Sequence, residues 1–237
     1  MYHLALSIVV VLLTVTLLVR RAKPICICMS HTENIFSYSK LTEAINRDYA
    51  KKHGYDFKIF EMKMQDRAPQ WCKVKVIKEL LAINKYSYIF WIDADAFFNK
   101  MNRKLESIIA LDPNKDLYVC DDRPNSGKQN TVNTGTLLVK ASDWSKKFAN
   151  EWYEYHGKFL YEPFHEQSVL DHYINYTDES SHIHVAKTTD FNSCAGCSVE
   201  SQKNEFIIHL MARSPKYRID YITKHEPSTT GGEALVS

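Results

Sequence analysis

The sequence predicts an α/β domain of three layers, with a mostly parallel central sheet between helices, and three observations carry that reading. Short apolar runs of strand length alternate with amphipathic helical segments from Pro24 to Leu210, the order expected of strands and helices stacked in layers. Pro24–Met29 and Tyr88–Ile92 are nearly continuous apolar runs, as strands covered on both faces are. The second run leads into two acids one residue apart, Asp93 and Asp95. They stand at the carboxyl end of a strand, where open α/β sheets bind their ligands.

The elements follow in order. Pro24 to Met29 reads as the first strand, with Cys26 and Cys28 as core thiols. Leu41, Ala44, Ile45 and Tyr49 are spaced as one helix face, and Gly54 is a natural cap at its end. Phe57 to Glu61 is a short strand, and Trp71 to Asn84 a helix with Val74, Ile77, Leu80 and Leu81 inward. The strand into Asp93 comes next, then strands at Leu117–Cys120 and Thr136–Val139. Ser142 or Asp143 can cap a helix carrying Trp144, Phe148, Trp152 and Tyr155. Glu166 to Ile174 reads as a helix, Phe206 to Leu210 as a late strand, and residues 224–237 as a flexible tail.

The chain has 237 residues, enough for one domain with a sizeable core. Thirty Lys and Arg stand against 28 Asp and Glu, so the basic excess usual in nucleic-acid binding is missing and no nucleic-acid partner is expected. Fourteen Tyr, 11 Phe and four Trp are explained first by packing. Cys194 and Cys197 form half of a zinc site, with no second pair at finger spacing, which leaves a redox or disulfide pair. From Leu4 to Val19 only Ser7, Thr14 and Thr16 interrupt the apolar residues, and Arg20, Arg21 and Lys23 follow. A helix of this length spans roughly 28 Å, close to the hydrocarbon core of a bilayer. Residues 1–23 are therefore expected to be a single transmembrane anchor, and the flanking cations place the long C-terminal part on the cytosolic side. The domain would occupy residues 24–223.

In an extended chain, residues i and i+2 project to one face, so Asp93 and Asp95 are expected to aim at one point past the strand. Two carboxylates converging beside apolar residues are costly without a positive partner. A divalent cation would satisfy them and could hold a phosphate in turn.

Other segments join them in an ordered set. Asn46-Arg47-Asp48-Tyr49-Ala50-Lys51-Lys52-His53-Gly54-Tyr55 precedes Trp71-Cys72-Lys73 and Trp91-Ile92-Asp93-Ala94-Asp95-Ala96. Asn133-Thr134-Gly135, Trp144-Ser145, Glu166-Gln167-Ser168 and Ile208-His209 complete the series. In this order and rough spacing the chain, from Ile25 to Tyr217, resembles glycosyltransferase family 34, which includes fungal galactosyl- and mannosyltransferases and plant xyloglucan xylosyltransferases. The resemblance implies a GT-A fold. It implies retaining transfer of a hexose or pentose from a nucleotide sugar (UDP-galactose, UDP-xylose or GDP-mannose) to a glycan or glycoprotein acceptor. It implies Mn²⁺ or another divalent cation held by Asp93, Asp95 and His209, an oxygen and imidazole set that suits Mn²⁺. Glu166 and Gln167 fall on the segment near the reacting carbon and the acceptor. Glu166 would stabilise an oxocarbenium-like transition state or act as nucleophile, unless the reaction is a same-face substitution in which the leaving phosphate takes the acceptor proton. Asn133, Thr134 and Gly135 would line a sugar, and Trp71 and Lys73 the nucleotide pocket. The family's setting is Golgi or endomembrane, at odds with the cytosol-facing charge pattern.

One segment departs from the pattern. Plant members place Phe-x-Gly-Cys and a diphosphate-binding Lys after the His; here the run is His209-Leu210-Met211-Ala212-Arg213-Ser214-Pro215-Lys216. Ser214 stands at the Lys position, and Arg213 or Lys216 would supply the charge. Two alternatives compete. A haloacid-dehalogenase-type phosphatase would use Asp93 as nucleophile, but Ala96 stands where a Thr or Val commonly follows. A membrane-tethered, non-catalytic carbohydrate-binding protein would explain the aromatic residues but not the paired acids.

Overall fold

A computed structural model of the chain describes residues 24–61, 64–123, 132–196 and 205–225. The expected anchor, Cys197 and nearly all of the expected tail lie outside the described residues. Among the described residues, no helix is long and apolar enough to cross a membrane.

In chain order the elements are β1 (Ile25–Ser30), α1 (Phe36–His53), β2 (Asp56–Phe60), α2 (Cys72–Ile83), β3 (Tyr88–Ile92) and β4 (Ala96–Phe98). Then come α3 (Glu106–Ile109), β5 (Leu117–Asp121), β6 (Val132–Lys140), α4 (Asp143–Tyr153) and α5 (Glu166–Tyr176). The last are β7 (Ile183–Ala186), α6 (Thr188–Phe191), β8 (Ser193–Cys194), β9 (Ile207–His209) and α7 (Pro215–Lys224). Six strands form the main sheet in the order β2-β1-β3-β6-β5-β7. β6 alone runs against its neighbours β3 and β5, while β1–β2, β1–β3 and β5–β7 pair in parallel.

The sheet is buried on both faces, as its apolar runs require. On one face Cys26, Cys28, Ile89, Trp91, Val119 and Leu137 pack with Val74, Ile77, Leu80 and Leu81 of α2 and with Phe148 and Trp152 of α4. On the other, Ile27, Phe90, Ile92, Tyr118 and Leu138 pack with Tyr49 and Ala50 of α1 and with Ile108 of α3. The expected three layers are present. Gly54 ends α1 in the left-handed conformation, φ 71°, and Ser142 caps α4 by accepting a hydrogen bond from Ser145 N. Cys26, Cys28, Cys72 and Cys120 are free thiols, the first two buried in the core; Cys194 is in a disulfide.

Three features differ from the sequence reading. The buried face of α1 is only in part the expected one: Tyr49 is buried, and Leu41 and Ile45 are half-buried and packed. Ala44 is exposed, and Ser39, Thr42, Asn46, Tyr49 and Ala50 point inward. The polar members of that face serve the backbone of the Asp93 segment. Thr42 Oγ1 donates to Ala94 O (2.7 Å), Asn46 Nδ2 donates to Ala96 O (3.0 Å), and Phe98 N donates to Asn46 Oδ1 (3.1 Å). Burying these groups is tolerable because each finds a partner. Second, the chain past Ile92 leaves the main sheet for a small one, ordered β4-β9-β8. Third, α7 continues the fold beyond the late strand. Its Ile219 and Ile222 pack with Tyr38, Leu41 and Ile45 of α1, and the helix ends at Lys224, the first residue of the expected tail.

Candidate active site

Asp93 and Asp95 sit where the chain crosses between the two sheets. β3 ends at Ile92, and Asp93 to Asp95 form a turn, closed by Ala96 N donating to Asp93 O (3.0 Å). The carboxylates therefore converge through this turn and not through the alternation of an extended strand. The turn is tied on both sides: Asp93 N donates to Gly135 O (2.8 Å) and Leu210 N donates to Asp95 O (2.9 Å). The second bond brings β9, and with it His209, against Asp95.

Asp93, Asp95 and His209 each offer a ligand atom, and these atoms lie within 4.8 Å of one another. His209 Nε2 is 3.1 Å from Asp95 Oδ1, and Nδ1 is 3.0 Å from Asn192 Oδ1. Asn192 is itself fixed, because its Nδ2 donates to Asn133 Oδ1 (2.9 Å). The Asn192 carbonyl oxygen therefore faces the ring, and Nδ1 carries a proton. That arrangement turns Nε2 toward the carboxylates, the outer-shell pattern typical of a ligating histidine. Burial lowers the basicity of His209, but the charge and hydrogen bond of Asp95 raise it above the ordinary value. Burial likewise pushes the Asp95 carboxyl up, but His209 and Arg218 bring it down to about 2. A divalent cation fits this set: it would take the place of the Nε2 proton, and the hard oxygen and imidazole donors suit Mn²⁺.

Gly135 is what lets the ring sit there. A Cβ at this position would lie 2.1 Å from His209 Cε1 and 2.5 Å from Nδ1. Gly135 N donates to Asn133 Oδ1 (2.9 Å), so the Asn133-Thr134-Gly135 segment supports His209 from β6.

On the other flank stands Lys73, from the first turn of α2, with only 4% of its surface exposed. Its ammonium lies 3.2 Å from Asp93 Oδ1 and 3.2 Å from Glu166 Oε1, and donates to Thr134 O (3.0 Å). Burial disfavours the charged amine, but Asp93 and Glu166 raise its pKa above the usual lysine value. Lys73 therefore stays protonated. Asp93 Oδ1 also accepts from Trp91 Nε1 (2.6 Å). Glu166 Oε1 accepts from Thr134 Oγ1 (2.8 Å), and Gln167 Oε1 accepts from Thr134 N (3.0 Å). Glu166 Oε2 is buried without a hydrogen-bond partner. Immediately before it, His165 has φ 50° and ψ −117°. Such a conformation costs a residue with a Cβ about 1–3 kcal/mol and clusters at functional sites.

These groups share one cleft of about 310 Å³. Lys73, Asp93, Asp95, Asn133, Thr134, Gly135, Glu166, Gln167 and His209 all line it. Phe164, His165, Met211 and Ala212 line it as well. Three expected contacts are elsewhere. Trp71 is 1% exposed and packs in the core beneath Arg67 and Tyr153, so its indole is structural. Arg213 donates to Ala195 O (3.0 Å) and lies over Tyr217. Lys216 pairs with Asp220 on an exposed face of α7. None of the three lines the cleft. The cation nearest Asp95 is instead Arg218, which the sequence reading missed; its Nη2 is 2.5 Å from Asp95 Oδ2. In that reading Asn46 is only the start of a motif, and Thr42 and Asn192 have no role. Only the first two carried a local signal, as polar members of a Ser39, Thr42, Asn46, Tyr49 stripe at helical spacing.

The chain is similar to known proteins in sequence and in fold. The chain is 27% identical over 184 residues to an uncharacterised alpha-1,2-galactosyltransferase of Schizosaccharomyces pombe, covering 60% of this chain and 46% of that protein. It is 26% identical over 139 residues to galactomannan galactosyltransferase 1 of Cyamopsis tetragonoloba, covering 52% of this chain and 31% of that protein. The chain thus spans less than half the length of these curated relatives. Among solved structures, a glycosyltransferase involved in glycosylation of the major capsid of PBCV-1 superposes with a TM-score of 0.72 at 18% identity, over 85% of this chain and 99% of that one. GlyE of Streptococcus pneumoniae superposes with a TM-score of 0.52 at 13% identity, over 85% of this chain and 60% of that one. The fold is GT-A-like, and these likenesses support an enzyme over a carbohydrate-binding module. The resemblance read from the motifs holds where it is tested: residues 24–120, which carry β1 to β4 and the Asp93-Ala94-Asp95 turn, match the galactosyl transferase GMA12/MNN10 family.

Proposed function

We propose that the chain is a metal-dependent, retaining glycosyltransferase that moves a hexose or pentose from a nucleotide sugar to a glycan acceptor. The observation that carries this reading is the joining of two sets of groups in one cleft. Asp93, Asp95 and His209 present ligand atoms within 4.8 Å of each other, and Lys73, Glu166 and Gln167 line the same cleft.

Asp93, Asp95 and His209 would hold the divalent ion. When bound, the ion supplies positive charge to the donor diphosphate and its leaving oxygen. Lys73 and Thr134 hold Glu166 in place through Oε1. Oε2 is left as the acceptor of hydrogen bonds, or the negative charge, beside a sugar whose anomeric carbon becomes positive. Gln167, held through its oxygen by Thr134 N, keeps its amide N–H groups for a sugar hydroxyl. The likeness to galactosyl- and xylosyltransferases supports UDP-galactose and UDP-xylose as donors to test, with GDP-mannose beside them.

The segment from Met1 to Val19 would anchor the enzyme in a membrane. A disulfide at Cys194 belongs to an oxidising compartment. It supports an endomembrane lumen as the location of the domain, against the cytosolic side read from the flanking cations. Protease digestion of sealed membranes tests this: protection without detergent is expected, and full digestion would refute it.

The decisive test of function is a donor-hydrolysis screen with Mn²⁺. Slow release of nucleoside diphosphate from one of the three donors is expected, and its loss in Asp95→Ala and His209→Ala. A purified protein that neither hydrolyses nor binds any nucleotide sugar with metal present removes the transferase reading. Release of phosphate from generic phosphoesters would instead favour the phosphatase.

A further inference from the structure

Arg218 reaches the metal-binding turn from behind. It sits in the first turns of α7, outside the segment that matches the family. Its Nη2 lies 2.5 Å from Asp95 Oδ2, and its Nε donates to Leu210 O (3.3 Å). The guanidinium lies over the ring of Tyr38, 4.6 Å from the centroid, and its side chain is 16% exposed. Arg218 does not line the cleft, so it is placed to act through Asp95 and not on substrate. Asp95 is thus divided: Oδ2 belongs to Arg218, and Oδ1 faces His209.

The charges around the turn can be counted. Asp93, Asp95 and Glu166 are three carboxylates, and Lys73 and Arg218 are two cations in direct contact with them. With His209 neutral, as a ligand must be, the group carries one net negative charge. A divalent ion bound alone turns that into one net positive charge in a largely buried site, where charge is weakly screened. A bound diphosphate, with two or more negative charges, more than offsets it. Without Arg218 the group would carry two negative charges, and the ion alone would be neutralised.

We infer that Arg218, held against Asp95 Oδ2 on α7, is the resident counter-ion of the metal site and makes firm metal binding conditional on an anionic diphosphate. This inference rests on the transferase reading and adds to it the order of assembly: ion and nucleoside diphosphate enter as partners. The coupling is reciprocal, so the ion strengthens diphosphate binding by the same factor.

The test is Mn²⁺ titration of the purified chain, followed by electron paramagnetic resonance of free Mn²⁺, alone and with UDP or GDP. For the unmodified chain, weak binding of Mn²⁺ alone is expected, tightened at least about tenfold by whichever nucleotide it takes. In Arg218→Gln, the affinity for Mn²⁺ alone should rise at least about tenfold and the nucleotide effect should shrink. Arg218→Lys keeps the charge, and its Mn²⁺ affinity should stay within about threefold of the unmodified chain. A role in shaping Asp95 alone predicts the reverse: weaker Mn²⁺ binding in both variants. Should the Gln variant not fold, Arg218→Met keeps the apolar stem over Tyr38 and carries the same expectation. Unchanged or weaker Mn²⁺ binding on removing the charge overturns the inference, as does an unmodified chain whose Mn²⁺ affinity is indifferent to both nucleotides. In those cases the transferase reading stands. If no form binds Mn²⁺ with or without nucleotide, the metal-dependent reading fails and this inference with it.

Discussion

The two sheets of this molecule are built on different terms. The main sheet has six strands, up to nine residues long, sandwiched between helices and held by apolar side chains on both faces. The small sheet has strands of three, two and three residues. Beyond its apolar packing it is tied by bonds from elsewhere: Asn46 of α1 to the backbone of Ala96 and Phe98, and Asn99 N to Phe206 O (2.8 Å). The first sheet is stabilised by area removed from water, which tolerates small changes in shape. The second is as deeply buried, with Ala96, Phe98 and Ile207 in one apolar cluster and Phe97 and Ile208 in another, but its short strands depend in addition on specific polar contacts, each of which leaves a buried group unpaired when removed. The Asp93–Asp95 turn lies at the junction, anchored by the main sheet at Asp93 and aimed by the small one at Asp95.

Substitutions can break this contrast at its strongest point first. Lys73→Met removes the one cation shared by Asp93 and Glu166 and leaves two largely buried carboxylates without it. A loss of about 3–5 kcal/mol is expected, as for other buried pairs that lose one partner. Denaturant unfolding would measure it, and a loss below 1 kcal/mol would show that the ammonium is not needed for folding.

Gly135→Ala forces a methyl group onto the His209 ring. It should cost about 1–3 kcal/mol from overpacking and lower Mn²⁺ affinity about 10–100-fold by displacing a ligand. Ile89→Val in the main sheet should cost about 0.5–1.5 kcal/mol and leave Mn²⁺ affinity within about twofold. Equal effects of the two on metal binding would erase the distinction between the sheets.

Asn46→Ala cuts the bonds that carry the chain from the Asp95 turn into β4. About 1–3 kcal/mol of destabilisation is expected from the exposed backbone partners, together with weaker Mn²⁺ binding. A drop in thermal stability with full metal affinity would mean that the turn keeps its shape without α1.

The smallest effect has the opposite sign. His165→Gly relieves a conformation that glycine adopts freely, offset in part by glycine's greater freedom when unfolded. A gain of up to about 1 kcal/mol is expected by thermal melting, accompanied by slower transfer because the side chain lines the cleft. A destabilised glycine variant would show that the imidazole holds the segment in place.

Much of the scaffold was legible locally. The buried runs at β1 and β3, the Val74, Ile77, Leu80 face of α2, the Gly54 end of α1 and the Ser142 cap each follow from a few adjacent residues. The face of α1 was legible in part: Tyr49 is buried and Leu41 and Ile45 are packed, but apolar spacing did not show that Ser39, Thr42 and Asn46 are buried beside them. For Thr42 and Asn46 that burial depends on the carbonyls of a turn some 50 positions away. Asp93, Asp95 and His209 were legible as residues, through their chemistry and order. Their convergence was expected, but not its route, which is a turn and the pairing of β4 with β9, more than 100 positions apart.

The amino-acid order by itself determined the layered α/β class, the strand that delivers Asp93, and the identity of two acids and a histidine as groups suited to one cation. Those depend on hydrophobic period and on functional-group chemistry, which are local properties. The tertiary structure alone decided that Lys73 stands between Asp93 and Glu166, that Gly135 makes room for the His209 ring, that Arg218 pairs with Asp95, and that Arg213 and Lys216 lie outside the cleft. Charge pairing at 2.5 to 3.2 Å depends on where distant helices dock, and no local pattern in the chain encodes that distance.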